Sequence, residues 1–181
     1  MNSKRILMPL ALCGAAAGTA QAQQAQPNIV IILTDDLGFS DPGCYGGEIR
    51  TPNLDRLAAE GVRFTQMYNS ARSCPSRACL MTGLYPHQVG VGEMIGGPKK
   101  KLWPEGYSGF RDDNNLTIAE ALRTNGYYTA MAGKWHLGDK PTPVDRGFED
   151  FYGLLGGFTT FWEQSKYLSL IHISEPTRPR L

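Results

Sequence analysis

The sequence predicts an α/β fold, with a mostly parallel central sheet that carries helices on both faces. The first observation is a continuous aliphatic run at residues 28–34, which favours a strand buried on both sides. The second is that three helix-like segments separate this run from a second strand-like run at residues 127–131. The third is that reactive polar residues follow strand ends or a helix start, where open α/β sheets bind their ligands.

The first predicted helix begins after Thr51, a cap residue, and has Pro52 in its first turn. Gly61 ends this helix, because glycine readily adopts the backbone conformations found beyond a helix. Its apolar face consists of Leu54, Leu57 and Ala58. Residues 62–67 are predicted to form a short strand after it.

A second helix is predicted from Pro75 to Thr82, with Gly83 at its end. Residues 90–111 are rich in glycine, proline and lysine, which indicates an excursion over the surface. A third helix over residues 117–125 leads into the second strand at residues 127–131. No internal repeat and no membrane-spanning stretch is apparent.

The N-terminal residues 1–22 have the pattern of a signal peptide. Lys4 and Arg5 precede an apolar segment at residues 6–17, which is too short to cross a bilayer. Residues 20–22 form a small-x-small cleavage signal, so we expect export to the periplasm or secretion. A lipid anchor on Cys13 is the alternative, although the bulky Leu12 precedes it where a small residue is required.

The C-terminal residues 168–178 resemble the in-frame translation of a transposase-type sequencing-library adapter. We therefore expect the native sequence to end near Tyr167, with residues 23–167 as the folded part and 168–181 as an artefact. His172 is accordingly not considered as a ligand or a base.

Composition indicates an ordinary globular protein, with 41% hydrophobic and 19% charged residues. The net charge of +1 gives no strong positive potential that would attract nucleic acid or an anionic membrane. After removal of Cys13, three cysteines remain: Cys44, Cys74 and Cys79. An odd count in an oxidising compartment means that at least one thiol is free, modified or paired elsewhere.

Two groups of residues are candidates for chemistry at the sheet edge. Asp35 and Asp36 follow the first strand and could be oxygen ligands for Ca²⁺ or Mg²⁺, or alternatively part of a turn. Lys134 and His136 lie two apart in an extended segment, so their side chains point the same way. They could bind an anion and transfer a proton, or be a surface lysine and a packed histidine.

The start of the second helix is the third candidate. Free N–H groups and the helix dipole favour an anion near Ser73, and Arg77 lies one turn further on. The arginine could contact an oxyanion or a nucleophile, or it could simply face water. His87 is expected to be structural, and Thr117 fits a helix cap better than a glycosylation sequon with Asn115.

Together these segments resemble the type I, formylglycine-dependent sulfatases of the alkaline-phosphatase superfamily. The family signature is Cys or Ser, any residue, Pro, any residue and Arg, which places Ser73, Pro75 and Arg77 in register and Cys74 at the free position. The other matching segments are residues 27–38, 51–55, 61–64, 80–83, 126–127, 133–138 and 146–148. The resemblance implies an alkaline-phosphatase-like fold, here truncated to its N-terminal part.

The resemblance also implies a modified nucleophile. Ser73 would be oxidised to formylglycine by a radical-SAM type maturation enzyme, and Arg77 would position it. One hydroxyl of the hydrated aldehyde would attack the sulfur of a sulfate monoester, and the other would collapse to release sulfate. His136 would hold or deprotonate the diol, and Lys134 would bind the sulfate.

The implied metal is a divalent cation, usually Ca²⁺, held by Asp35, Asp36 and modified Ser73. Members of the family take further ligands, a second histidine and a second lysine from later in the chain, so the 181-residue chain is expected to have no turnover. The substrate would be a sulfated small molecule or a glycan, with residues 90–94 as candidates for its pocket. The rivals are a superfamily phosphatase or phosphonate hydrolase, and a non-catalytic sulfated-glycan binder in which Ser73 stays unmodified.

Overall fold

The computed structural model describes residues 26–95, 104–111, 115–160, 162 and 167–169. The predicted signal peptide and the candidate anchor at Cys13 lie outside these residues, as does the adapter-like tail from residue 170 onward. In the described part of the chain, no helix is both long and apolar enough to cross a membrane.

The chain divides into two units, Met1–Thr34 and Asp35–Leu181. The described part of the first unit, residues 26–34, is exposed and forms no strand, so the strand predicted at 28–34 is wrong for this chain. A strand exists only where a neighbouring strand accepts and donates its backbone hydrogen bonds. No described segment pairs with this run, and Val30 and Ile32 are 80% and 73% exposed.

The second unit contains three α-helices: α1 (Pro52–Glu60), α2 (Ser73–Thr82) and α3 (Ile118–Thr124). Short 3-10 turns occur at Gly43–Tyr45 and Glu105–Tyr107. Helix α1 has the predicted proline at its start and Gly61 at its end, but none of its residues is buried. The short strand predicted at residues 62–67 is wrong, since these residues are exposed and form no strand pairing with another described segment.

Helix α2 begins two residues earlier than predicted, which places Ser73 inside its first turn. Gly83 ends the helix in the left-handed region, and its N–H donates to the Cys79 carbonyl. Helix α3 begins at the predicted cap: the Thr117 side chain accepts from the Glu120 N–H, and the Glu120 side chain accepts from the Thr117 N–H. This reciprocal capping box confirms the cap interpretation of Thr117.

The sheet has the order β1-β2-β3, with β1 (Ala130–Lys134) parallel to β2 (Asp150–Leu154) and β3 (Tyr167–Ser169) antiparallel to β2. Strand β1 begins three residues later than predicted, because the Tyr127 N–H still donates to the Leu122 carbonyl at the end of α3. Gly133 lies opposite Gly153, and a Cβ at Gly153 would overlap the backbone of Gly133. The parallel β1–β2 pair with neighbouring helices agrees with the predicted fold class.

The core is formed by α2, α3, the sheet and the segment around residues 89–110. Its buried hydrophobic residues are Cys74, Ala78, Val89, Val91, Phe110, Ala119, Trp135, Leu137, Phe148 and Phe151. The prediction that residues 90–111 are only a surface excursion is therefore wrong at both ends. The Gly109 N–H donates to the Gly90 carbonyl, and this pairing carries Val91 and Phe110 inward.

Arg146 connects α3 to this core, and it is only 2% exposed. Its guanidinium pairs with Glu120 at 2.8 Å, donates to Asn115 and lies 4.8 Å from the centre of the Phe110 ring. Phe110 in turn packs edge-on against Trp135, the residue between Lys134 and His136. The core thus supports the end of β1 from the side of α3.

Candidate active site

Five of the six side chains predicted to carry chemistry meet in one cluster. Ser73 and Arg77 lie one turn apart on α2, and Lys134 is the last residue of β1. His136 follows β1 by two residues, and Asp35 reaches the cluster from the N-terminal end of the second unit. The cluster therefore lies where a parallel strand ends and a helix begins, as the sequence predicts.

The Ser73 hydroxyl contacts two of the other members. Its Oγ lies 2.9 Å from Nδ1 of His136, and Arg77 Nε donates to it at 3.1 Å. The neighbouring Cys74 faces the core, where its Sγ accepts the Ile95 N–H at 3.3 Å. Burial raises the pKa of the Cys74 thiol, so the thiol stays protonated and unreactive. Of the two adjacent residues, only Ser73 lies in the cluster.

Arg77 joins α2 to β1. It is 8% exposed, and its Nη1 donates to the Lys134 carbonyl at 2.6 Å. Its Nη2 lies 3.5 Å from a carboxylate oxygen of Asp35. With Nε on Ser73, the guanidinium has a partner for each of its three nitrogens, which fixes the orientation of its planar group.

Lys134 and Asp35 form the second ion pair of the cluster. Lys134 Nζ donates to the other Asp35 oxygen at 2.9 Å. This hydrogen bond, together with the charges of Lys134 and Arg77, holds the pKa of Asp35 below its usual range. Asp36 does not join the cluster. Its backbone has a left-handed φ of 57°, its side chain is exposed, and no described residue forms a hydrogen bond or ion pair with its carboxylate.

His136 is 8% exposed and is fixed at both its backbone and its ring. Its N–H donates to the Leu155 carbonyl at 2.9 Å, and its φ of 54° turns the chain away from the direction of β1. Burial, and then the charges of Lys134 and Arg77, lower the pKa of this imidazole. His136 is therefore neutral at pH 7 and can accept a proton from Ser73 through Nδ1.

The oxygen atoms of this cluster suit a hard divalent cation, but they are only part of the ligand set that such a cation needs. Carboxylate and hydroxyl oxygens from Asp35, Asp36 and Ser73 are of the type that Ca²⁺ and Mg²⁺ prefer. Across the described ranges, however, no three His, Cys, Asp or Glu side chains are close enough to hold a metal ion. The chain thus supplies part of a coordination sphere, since Ca²⁺ takes about six to eight oxygen ligands.

A cavity of about 510 Å³ lies beside His136. Its lining includes Glu93 and Met94, as the sequence predicts, together with Asp139 and Gly157. Val91, which was also expected there, instead packs in the core at 1% exposure. Acidic and apolar residues therefore both line this cavity.

Two features of the site were missed by sequence reasoning. Leu155 and Gly157 follow β2 and contact the backbone and ring of His136. The glycine pair at residues 156–157 was visible in the sequence, but nothing there indicates which residue it approaches. The Phe110–Trp135 contact behind Lys134 and His136 was missed because residues 90–111 were assigned to the surface.

Comparisons with known proteins identify the family of this chain. The sulfatase family model matches residues 27–172. The chain is 41% identical to the arylsulfatase of Klebsiella aerogenes over 167 residues, covering 91% of this chain and 36% of the relative. It is 45% identical to human arylsulfatase A over 149 residues, covering 79% of this chain and 28% of the relative. The chain thus spans about a third of the length of these relatives.

Solved structures show the same likeness. The crystal structure of Ps i-CgsB superposes with a TM-score of 0.63 at 41% identity, covering 72% of this chain and 28% of that one. Ps i-CgsB in complex with k-i-k-neocarrahexaose gives a TM-score of 0.59 at 42% identity, over 68% of this chain and 27% of that one. The PsFucS1 sulfatase from Pseudoalteromonas sp. gives 0.57 at 38% identity, over 70% of this chain and 25% of that one.

Proposed function

The chain belongs to the sulfatase family, and we propose that it carries the nucleophile half of an active site that hydrolyses sulfate monoesters. The observation that carries the proposal is the position of the Ser73 hydroxyl, 2.9 Å from His136 and 3.1 Å from Arg77. A side chain between a neutral imidazole and a guanidinium can lose a proton while its oxygen stays oriented.

We propose that Ser73 is the residue modified to formylglycine, by a radical-SAM type maturation enzyme that removes two hydrogens from its side chain. In hydrated form residue 73 would offer two hydroxyls on one carbon, one to attack sulfur and one whose collapse releases sulfate. His136 takes up the proton at Nδ1, and Arg77 holds the attacking oxygen in place. Lys134, with one side-chain contact to Asp35, binds a sulfate oxygen and neutralises its growing charge.

The family uses a divalent metal, and we propose Ca²⁺, with Mg²⁺ as the alternative. Asp35, Asp36 and residue 73 would hold it, and the bound cation would stabilise negative charge on the reacting oxygens. Asp35 is suited to this role because its carboxylate is already ionised and oriented by Lys134 and Arg77. Asp36 has an exposed carboxylate without a partner in the described structure, so it is free to bind a cation.

For the substrate we propose a sulfated glycan. The support is the cavity beside His136, whose lining includes the acidic residues Glu93 and Asp139, a residue type that accepts hydrogen bonds from sugar hydroxyls. A second support is the likeness to Ps i-CgsB, whose crystal structure contains k-i-k-neocarrahexaose. A signal peptide at residues 1–22 would export the protein to the periplasm or the medium, where such polymers are found.

The test is turnover of 4-nitrophenyl sulfate and 4-nitrophenyl phosphate by the protein expressed from its complete reading frame with a maturation enzyme. The sulfate ester is expected to be hydrolysed faster, and Ser73→Ala to lower kcat by about a thousandfold or more. Cys74→Ala, the matched change one residue away, is expected to retain turnover because its thiol faces the core.

Three results would contradict the proposal. A preference for the phosphate ester would indicate a phosphatase. Full turnover by Ser73→Ala would exclude Ser73 as the nucleophile. Saturable binding of sulfated glycans without any turnover, with Ser73 unmodified, would indicate a non-catalytic binder.

A further inference from the structure

The ring of His136 has close neighbours at two places. Nδ1 faces Ser73 at 2.9 Å, and Gly157, in the loop after β2, lies against the ring near Nε2 and Cε1. A Cβ added to Gly157 would come within 2.9 Å of Cδ2 of His136, and closer still to Nε2 and Cε1. The imidazole therefore occupies the space that any side chain at position 157 would fill.

We propose that Gly157 is a positioning residue for the reaction, because its lack of a side chain allows the His136 imidazole to reach Ser73. The inference rests on the proposed function, which assigns proton transfer between these two residues. Gly157 acts only through His136 and has no chemical group of its own in the step.

The ring has little freedom to move aside while keeping its contact with Ser73. His136 is 8% exposed, and its backbone is bound to Leu155, two residues before Gly157. A methyl group at position 157 would overlap the ring near Nε2 and Cε1, so the ring would have to tilt or shift from its present position. Because Nδ1 lies on the same rigid ring, this displacement breaks the hydrogen bond with Ser73.

Gly156 provides a matched control in the same loop. A Cβ added there meets nothing within 4 Å, whereas one added at Gly157 meets the imidazole. Neither glycine has a left-handed φ, so the backbone accepts alanine at both positions. The two substitutions thus differ in their contact with His136.

The experiment compares crystal structures and kinetics of Gly157→Ala and the wild-type protein, expressed from the complete reading frame. In Gly157→Ala the Ser73–His136 separation is expected to exceed hydrogen-bond distance. Its kcat is expected to fall about a hundredfold with KM changed less than about threefold, since a misplacement of about 1 Å costs that much. The crystal structure of Gly156→Ala is expected to retain the 2.9 Å separation.

An unchanged separation in Gly157→Ala would overturn the inference. So would a raised KM with an unchanged kcat, because Gly157 would then border the path of the substrate. If the wild-type protein hydrolyses no sulfate ester, the proposed function fails, and the crystal structures alone decide the role of Gly157.

A second variant covers failure of Gly157→Ala to fold. The double variant His136→Ala/Gly157→Ala removes the ring that the added methyl would meet, so it is expected to fold with the thermal stability of His136→Ala. Folding of the double variant, where Gly157→Ala does not fold, would support the contact with His136. Loss of stability in the double variant relative to His136→Ala would overturn it.

Discussion

Two regions of the chain, residues 35–72 and residues 73–155, contrast in their burial. Both contain a predicted helix and apolar residues, but they differ in how many side chains are buried. The first region contains helix α1, the Phe39–Tyr45 ring pair and several aliphatic residues, yet only Pro42 is buried. In the second, the described residues form the whole hydrophobic core around α2, α3, β1 and β2. Four of the five clustered site residues, Ser73, Arg77, Lys134 and His136, come from the packed region.

The difference between the two regions shows which sequence signals produce local structure without a partner segment. A helix satisfies its backbone hydrogen bonds within one segment, so α1 forms at Pro52–Glu60 even though it buries nothing. A strand or a core position needs a partner from elsewhere in the chain. The packed region contains those partners, and it therefore carries most of the stability and the fixed part of the site.

The largest expected contrast is between two phenylalanines. Phe151→Ala removes a fully buried ring from β2 and is expected to lower the free energy of unfolding by about 3–5 kcal/mol. Phe64→Ala, at a position 61% exposed, is expected to cost less than about 1 kcal/mol. Chemical denaturation of the 181-residue chain measures both, and equal losses would break the distinction between the two regions.

A similar contrast is expected between two arginines. Arg146→Met leaves Glu120 without its partner in a mostly buried site and is expected to cost about 3 kcal/mol. Arg63→Met removes an exposed arginine that stacks on Tyr45, with an expected cost below about 1 kcal/mol. Thermal unfolding of both variants gives the comparison, and a smaller loss for Arg146→Met than for Arg63→Met would contradict it.

The two threonines that precede helices give a smaller expected difference. Thr117 caps α3 and also donates to the buried carbonyl of Arg146, so Thr117→Ala is expected to cost about 1–2 kcal/mol. Thr51 precedes α1 and accepts no hydrogen bond from the N–H groups of its first turn, but its hydroxyl accepts the Gly43 N–H and donates to Asp55, so Thr51→Ala is expected to cost about 0.5–1 kcal/mol. Equal melting temperatures for the two variants would show that the capping box adds little.

The smallest expected effect is a pH dependence of stability in the packed region. Burial raises the pKa of Glu120, but hydrogen bonds from Arg146 and the Thr117 N–H outweigh it, so the net pKa lies below its ordinary value of 4.5. The ionised carboxylate therefore stabilises the fold fully above pH 4.5, and this contribution is lost as pH falls towards the folded pKa.

Glu120→Gln tests this pH dependence, because glutamine keeps the shape of the side chain without the titration. The variant is expected to be less stable than the wild-type chain at pH 7, and to lose less stability on acidification below pH 4.5. Unfolding free energies at a series of pH values measure the difference, and parallel curves for the two proteins would contradict it.

The sequence predicted the helices and most of the site residues, but not which distant segments pack against each other. The start signals and terminal glycines located the three helices to within two residues, although of the three helices only α3 has a side-chain cap, at Thr117. The signature spacing selected Ser73 and Arg77, and period-two geometry grouped Lys134 with His136. The burial of Val91 and Phe110, and the approach of Gly157 to His136, depend on contacts between distant segments and had no local signal.

The most direct measurement is the mass of the tryptic peptide spanning residues 73–77 in the protein expressed with a maturation enzyme and active on sulfate esters. We expect this peptide to be lighter than its coded mass by two hydrogens, with the change on Ser73 and not on Cys74. A peptide of coded mass in a protein with full turnover would contradict the assignment of Ser73 as the modified nucleophile.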